Sequence, residues 1–163
     1  MVRMTGPNIG LVLDPDLGHL LPTAQDLLTY WQANRSVNGL PDRTAFDPIS
    51  LRRYLGNLVI ADIERDDHTR VRYRYRLIGT DLADRSGRDA TGRYFEDIYD
   101  PISLAEMKYC FGWVAEHKRP ARVFGTFRHA NRAYQGFDGL FLPIATDGGN
   151  VVNQVIGYVV PTG

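Results

Sequence analysis

Cysteine, closely spaced histidines and long apolar runs are scarce in this sequence, and each shortage excludes a class of protein. Cys110 is the only cysteine among 163 residues, which excludes an internal disulfide and a cysteine-based zinc site and fits a reducing compartment. The four histidines lack the short paired spacing of a metal-binding helix. Because no apolar run has the length of a signal-peptide core or a membrane span, we expect a cytoplasmic protein with no membrane partner.

An excess of charge of one sign is also absent. Nineteen basic residues balance nineteen acidic ones, so no net positive field attracts nucleic acid or an anionic membrane. Hydrophobic residues make up 44% of the chain and charged residues 23%. A chain of this length and composition suits one soluble domain with a substantial core.

Local patterns divide the chain into an N-terminal arm over residues 1–22 and a single domain over residues 23–163. Glycine and proline interrupt the arm. Thr23 is a suitable cap for a helix to about Asn34, and Asp-Pro pairs begin a short helix at 47–56 and the longest helix at 100–118. Short helical turns and loops are predicted between Thr80 and Asp97. Alternating patterns predict five strands, at residues 58–66, 70–79, 121–129, 132–145 and 151–160.

The last predicted strand, VVNQVIGYVV, carries apolar side chains on both of its faces. A strand that is apolar on both faces is buried on both, which predicts a place near the centre of the sheet.

An alternating row of arginines in the segment RVRYRYR, residues 70–76, raises the question of nucleic-acid binding. A three-residue loop at 67–69 opposes Glu64 to Arg72 and Asp62 to Arg74 across the hairpin, so that opposite charges meet. A two-residue loop would instead place carboxylates on the aromatic face, at a desolvation cost. We therefore predict the three-residue loop and a solvated charge ladder, and no nucleic-acid interface.

Arg76 is the exception in this row, because the same register places it opposite Ile60. An arginine in apolar surroundings needs an anion. We expect that anion to be a carboxylate of the loop after Thr80 or an acidic ligand.

The longest predicted helix has two apolar stripes. The core stripe, which packs on the sheet, holds Leu104, Met107, Cys110, Phe111, Val114 and Ala115. The outward stripe holds Ile102, Ala105, Tyr109 and Trp113, with Glu106 and Glu116 along it. We expect the outward stripe to be covered by the arm or another loop, to form a subunit interface, or to line a ligand pocket. His117 at its edge is a candidate haem ligand or an ordinary histidine at a helix end, and Cys110 is expected to be a buried, inert thiol.

Short motifs follow one another through the domain: Tyr30-Trp31, Leu40-Pro41-Asp42-Arg43, Asp47-Pro48, Arg76-Leu77-Ile78-Gly79-Thr80, Gly87-Arg88-Asp89-Ala90-Thr91-Gly92, Leu142-Pro143 and Ile156-Gly157. With the order of the predicted elements, these motifs resemble the PAS domain superfamily, and more specifically a family of short, mostly single-domain bacterial PAS-like proteins. The resemblance covers about residues 24–161. It implies an α+β fold with a five-stranded antiparallel sheet in the order 2-1-5-4-3, helices on one face and an additional N-terminal helix.

The resemblance also implies a function, that of a non-catalytic sensory or regulatory domain in bacterial signalling. Such a domain binds a small molecule, forms a homodimer, or does both, and we expect it to act through a downstream signalling protein, since no kinase, cyclase or helix-turn-helix segment is present. The candidate ligand-binding residues are Tyr75, Arg76, Tyr109, Trp113, His117 and Phe127. The candidate interface residues are Leu27, Leu28 and Trp31, which are equally suited to packing within their own subunit.

The sequence identifies no cofactor. The Asn-Cys-Arg motif of the flavin-binding, light-sensing branch of the superfamily is absent, so we expect no photoreceptor. Two other functions stay open. One is an interaction adaptor without a ligand, and the other is a small α+β enzyme in which Asp81 or Asp84 would act with His129, although no spacing supports that pair.

Overall fold

A computed structural model describes residues 2–3, 11–67, 70–86, 89–127, 135–146 and 149–162. The helices in this part of the chain are α1 (Pro22–Ala33), α2 (Thr80–Ser86) and α3 (Pro101–His117). The strands are β1 (Val2–Arg3), β2 (Val12–Asp14), β3 (Leu58–Arg65), β4 (Val71–Ile78), β5 (Ala121–Phe127), β6 (Gln135–Ile144) and β7 (Gln154–Thr162). Short 3-10 helices at Arg43–Phe46, Leu55–Asn57 and Phe95–Asp97 lie in the connections.

The seven described strands form one antiparallel sheet in the order β1-β2-β5-β6-β7-β3-β4. The five strands predicted from the sequence stand in the predicted order 2-1-5-4-3, with β4 at one end and β5 at the other. β7 lies between β6 and β3, and its residues Val155 and Ile156 are fully buried, as its two-sided apolar pattern requires. The α+β fold and its central strand are therefore confirmed.

The N-terminal arm is not separate from this sheet. Its strand β2 pairs with the outer edge of β5, and Leu11 and Leu13 are fully buried. Arg122 of β5 forms a two-point ion pair with Asp138 of β6 and donates a hydrogen bond to the carbonyl oxygen of Gly18, 3.0 Å away. The arm thus covers a sheet edge that would otherwise expose unpaired backbone groups.

Helices cover both faces of the sheet. Phe141 of β6 packs against Phe111 of α3 with ring centroids 5.1 Å apart, which assigns that face to α3. Side chains alternate along a strand, so the next residues of β6 belong to the opposite face. The members of this opposite set, all fully buried, are Leu140, Leu142 and Ile144.

Helix α1 and the segment after it cover that opposite face. Tyr158 of β7 contacts Tyr54 edge to face, and Arg53 pairs with Asp26 of α1 at 3.4 Å. The indole Nε1 of Trp31 donates a hydrogen bond to the carbonyl oxygen of Pro143 at 2.9 Å. The predicted cap at Thr23 is wrong by two residues, because Pro22 takes the first helical position and Leu21 is the N-cap, without a side-chain hydrogen bond.

The short helix predicted at 47–56 does not form. The Asp47 carboxylate accepts a hydrogen bond from the Ser50 backbone N–H at 2.9 Å, as a cap would, but turns follow, and regular structure returns as the 3-10 helix Leu55–Asn57. A helix of about two turns forms few internal hydrogen bonds relative to the number of residues whose backbone it fixes. Turns in the same segment are therefore of comparable stability. Gly79 packs directly on this segment, since a Cβ at Gly79 would lie 2.2 Å from the backbone oxygen of Leu55.

The β3–β4 hairpin has the register predicted from its charges over most of its length. Glu64 lies opposite Arg72 and Asp62 opposite Arg74, while residues 68 and 69 of the predicted loop lie outside the described residues. A bulge between Ile60 and Ala61 then places Leu77 opposite Ile60. The expectation for Arg76 is therefore wrong, and its guanidinium binds Asp62 at 3.2 Å.

The outer edge of β4 is protected by the chain that follows α2. Gly92 donates a backbone hydrogen bond to Tyr75 at 2.7 Å, and Tyr75 donates one to Arg93 at 3.0 Å. Gly92 has a φ of +86°, which favours glycine. Gly87, the other glycine of this motif, lies outside the described residues.

Candidate functional site

Aromatic rings fill the space between α3 and the sheet. This aromatic cluster is built around the fully buried Phe95, whose ring lies 5.1 Å from that of Phe111 and 4.6 Å from that of Tyr75. Its members are Tyr73, Tyr75, Phe95, Tyr99, Phe111 and Phe141. The hydroxyl groups of Tyr75 and Tyr99 are hydrogen-bonded, and burial raises the pKa of Tyr75 well above its usual value. The structure thus places Tyr75, a predicted ligand-binding residue, in the packed core.

A groove of about 400 Å³ lies between α3 and the turn end of the β3–β4 hairpin. It is centred on Gly112, whose neighbours on the helix surface are the residues three and four positions away. All four of those neighbours line the groove, so the missing side chain at position 112 opens it. The lining residues are Arg65, Val71, Tyr73, Lys108, Tyr109, Gly112, Trp113, Ala115 and Glu116.

Tyr73 forms the polar floor of this groove. Its side chain is 4% exposed, and its hydroxyl oxygen would lie 3.3 Å from a Cβ at Gly112. Within the described ranges no group hydrogen-bonds this hydroxyl. Burial raises the pKa of Tyr73, with Arg65 opposing the rise and Glu116 adding to it. The hydroxyl is therefore a neutral donor that points to a space with room for a partner.

Tyr109 and Trp113 form the aromatic side of the groove. They are one helical turn apart on α3, and Tyr109 is 38% exposed. The Trp113 ring stacks on His117 with centroids 4.2 Å apart and planes 14° apart, and Nδ1 of His117 lies 2.9 Å from the Trp113 carbonyl oxygen. His117 therefore supports Trp113 from outside the groove.

Charged side chains surround the groove with a small excess of positive charge. The Glu96 carboxylate lies between two cations, 3.5 Å from Nε of Arg72 and 3.7 Å from Nζ of Lys108. Arg65 and Glu116 lie on the lining as a further cation and anion. Arg65 donates a hydrogen bond to the carbonyl oxygen of Val152 at 2.7 Å, which fixes its position.

Two polar groups of α3 face inward instead. Glu106 is 4% exposed, and burial together with the nearby Asp100 carboxylate raises its pKa to about 7. The prediction that Glu106 lies along the outward stripe is therefore wrong. Position 106 lies on a side of the helix that neighbouring residues cover. Cys110 is buried as predicted, and burial raises the pKa of its thiol to about 12, which keeps it protonated at neutral pH.

The other predicted residues do not join the groove. Arg76 is exposed on the α1 face with Asp62, and the side chain of Phe127 lies outside the described residues. The candidate interface residues Leu27, Leu28 and Trp31 are at most 4% exposed. They therefore pack within their own subunit, which was the alternative to an interface.

The described residues of the arm, 2–3 and 11–22, do not cover the outward stripe of α3. Ile102 and Tyr109 remain 39% and 38% exposed, while strand β2 of the arm lies along β5. The sequence left three alternatives for this stripe: cover by the arm or a loop, a subunit interface, or a pocket wall. Tyr109 and Trp113 line the groove, so these two residues form part of a pocket wall. Gly112, Lys108, Arg65 and Tyr73 were not recognised as site residues, although a glycine inside a long helix was a usable signal.

The proposed acid–base pair gains no support from α2. Asp81 and Asp84 are exposed on this helix, and His129 lies outside the described residues. In the ranges that the structure describes, no three His, Cys, Asp or Glu side chains are placed to share a metal ion. None of the described helices has the length and apolar character needed to cross a membrane.

Comparisons with known proteins agree with this geometry at the level of fold. The family model of the PAS domain matches residues 20–160. Among solved structures, the chain is similar to an RNA-binding light-oxygen-voltage receptor, with a TM-score of 0.52 and 15% sequence identity. The similarity covers 92% of this chain and 38% of the receptor, so the chain spans well under half of the receptor's length, and at this identity it shows the fold alone. No match was found among curated proteins.

Proposed function

Because the chain belongs to the PAS domain family, whose members are typically non-catalytic sensory or regulatory domains, we propose that its groove at Gly112 binds a small molecule. The observation that carries this proposal is the Tyr73 hydroxyl, which opens onto the groove and has no hydrogen-bond partner among the described residues. This hydroxyl can hydrogen-bond a ligand that enters the groove in place of water.

The shape and lining of the groove support this role. Small-molecule sites are concave, usually have about 300–1,000 Å³ of volume, and combine apolar or aromatic walls with a few polar groups. The groove has about 400 Å³, with Tyr109 and Trp113 as walls and Tyr73 as the floor. Gly112 is costly in a helix interior by about 1 kcal/mol relative to alanine, and the opening that it creates is a reason for its presence.

The groove is also well placed to transmit a signal. α3 presents Gly112 to the groove and, at the adjacent position, Phe111 to the aromatic cluster on the sheet. A ligand that displaces α3 therefore alters the packing of α3 on the sheet. This altered packing changes the surface that a partner protein or a second copy of the chain contacts. We retain the homodimer and the downstream signalling protein as parts of this proposal.

The binding test uses Trp113 as its reporter. The chain has two tryptophans, and Trp31→Phe leaves Trp113 as the only one while keeping an aromatic side chain in the core. Titrating this variant with a library of small soluble compounds is expected to give saturable changes of Trp113 emission. Gly112→Leu fills the groove and should abolish these changes.

Ala105→Leu is the matched control, because position 105 is exposed on the same helix and does not line the groove. It should leave the titrations unchanged. A response that survives in Gly112→Leu places binding elsewhere, and a library that gives no saturable response contradicts the proposed function.

An interaction adaptor without a ligand is the second candidate. It is favoured by the apolar surface that Ile102 and Tyr109 leave exposed on α3. This alternative predicts no added mass in the native mass spectrum of the purified protein and no response of Trp113 to small molecules.

A further inference from the structure

We propose that the ligand of the Gly112 groove is a small aromatic carboxylic acid. This inference rests on the proposed function, since it specifies the chemical class of the molecule that the same groove binds. Three features of the groove carry it: the aromatic wall, the neutral hydroxyl donor on the floor, and the distribution of charge along α3.

The aromatic wall favours a flat ring. Tyr109 and Trp113 lie one helical turn apart beside a position that has no side chain, so an aromatic ring fits over Gly112 against both of them. Aromatic pairs gain stability beyond the burial of their area. His117, stacked on the Trp113 ring, holds that ring in place without a ligand. This preorganisation lowers the entropy cost of binding.

The floor favours a hydrogen-bond acceptor. The Tyr73 hydroxyl is neutral, because burial raises its pKa, and it donates one hydrogen bond. A ligand carboxylate oxygen at the floor would accept this bond, and charge-assisted hydrogen bonds are about twice as strong as neutral ones.

The charges orient the acid group along the helix. Lys108 lies one turn before Gly112 and Glu116 one turn after it, so the N-terminal end of the groove is the positive one. The single Glu96 carboxylate is shared by Arg72 and Lys108, which leaves positive charge in excess at this end. An amine would meet Lys108 and Arg72 there, and the only carboxylate on the lining is the exposed Glu116 at the other end of the groove. A carboxylate between Lys108 and Tyr73, with its ring over Gly112, satisfies all three features.

The test compares ligands of one shape and different charge. Calorimetric titrations of the full chain with 3-phenylpropionate, 3-phenylpropanamide, 3-phenylpropylamine and 3-cyclohexylpropionate separate the roles of charge and ring. We expect 3-phenylpropionate to bind at least about tenfold more tightly than the amide and the amine, since one charge-assisted hydrogen bond is worth about 1.5–3 kcal/mol. The cyclohexyl acid keeps the carboxylate but loses the aromatic contact with Tyr109 and Trp113, and it should bind about two- to tenfold more weakly.

Three variants locate the acid group. Lys108→Gln should weaken 3-phenylpropionate binding by about tenfold or more, and Tyr73→Phe by a smaller factor of about three to ten. Arg76→Gln removes an exposed cation from the opposite face and should leave the affinity unchanged.

The possible failures are distinguishable. If the amide or the amine binds as tightly as the acid, or if Lys108→Gln has no effect, the carboxylic acid class is wrong and the groove remains a site for another ligand. If no 3-phenyl compound binds while the library yields a ligand that Gly112→Leu blocks, the chemical class is again wrong. If the library also yields nothing, the proposed function itself fails.

Discussion

Among single residues, Glu106 shows how far burial changes the chemistry of one side chain. Its carboxyl group is 4% exposed on α3, and no ion pair or hydrogen bond holds it among the described residues. A buried carboxyl without a cation favours its neutral form, which is why its pKa rises from 4.5 to about 7. Its protonation thus changes within the physiological pH range.

Glu106→Gln should change the pH dependence of stability. The folded-state pKa lies above the unfolded value, so the folded protein holds the proton more tightly and loses stability as the pH rises from about 4.5 to 7. Glutamine is neutral throughout. We expect the variant to exceed the wild type in free energy of unfolding by less than about 1 kcal/mol at pH 5 and by about 1–3 kcal/mol at pH 8, as measured by urea unfolding.

Glu116→Gln, an exposed change on the same helix, is the control and should have the same small effect at both pH values. An equal loss of stability at pH 5 and pH 8 in Glu106→Gln would show that this carboxyl group makes a contact that glutamine cannot replace.

Among the secondary-structure elements, the β3–β4 hairpin shows how charges select a register. The facing charged pairs Glu64–Arg72 and Asp62–Arg74 are those predicted, but the ion pairs run diagonally: Arg74 approaches Glu64 at 3.9 Å, and Arg76 approaches Asp62 at 3.2 Å. Long side chains reach diagonal neighbours in a sheet, and the bulge at Ile60 brings Arg76 within range of Asp62. Arg72 does not take part in this ladder. Its guanidinium stacks on Tyr94, with Cζ 3.5 Å from the centroid of the ring.

Arg74→Glu tests whether this row is a charge ladder or a nucleic-acid surface. Because Arg74 and Glu64 are both nearly half exposed, their pair is worth about 0–1 kcal/mol, and the reversal should lower the free energy of unfolding by about 1 kcal/mol. Fluorescence anisotropy with labelled single-stranded RNA at physiological salt should show no saturable binding for either protein. Tight wild-type binding that disappears in Arg74→Glu would make the row a nucleic-acid interface.

In the molecule as a whole, the N-terminal segments are part of one core. α1 covers the sheet face opposite α3, and the arm extends the sheet beyond β5. The stripe on α1 that suits a dimer contact is therefore already used, since Leu27 is fully buried and Leu28 is 4% exposed. A homodimer of this fold needs another surface, and the exposed side of α3 is available for it.

Leu28→Ala should destabilise the subunit itself. Removing a buried leucine side chain costs about 2–5 kcal/mol, and the loss should not depend on protein concentration. Urea unfolding at several concentrations, with light scattering for the molar mass, measures both effects.

Gln32→Ala, on the exposed side of the same helix, should stay within about 0.5 kcal/mol of the wild type. A Leu28→Ala protein that dissociates into monomers of unchanged stability would instead identify α1 as a dimer contact.

The sequence by itself determined α1, α3 and five of the seven described strands, because these depend on local periodicity, whereas the order of the strands was implied by the family resemblance. The two-sided apolar pattern of residues 151–160 placed the last strand at the centre, and the alternating charges of residues 62–74 selected the hairpin register. The order of the motifs also identified the family that the match over residues 20–160 shows. Tyr109 and Trp113 were recognised as candidate site residues because both lie on one stripe of one helix.

Only the tertiary structure decided which surfaces of α3 are covered and which are open. Whether a flank position such as Glu106 is buried depends on elements distant in the sequence, and helical periodicity carries no information about them. The groove likewise needs Gly112 of α3 above the Tyr73 hydroxyl of β4, a contact between residues 39 positions apart. The bulge at Ile60 and the pairing of the arm with β5 have the same origin, since packing between elements, and not local pattern, selects them.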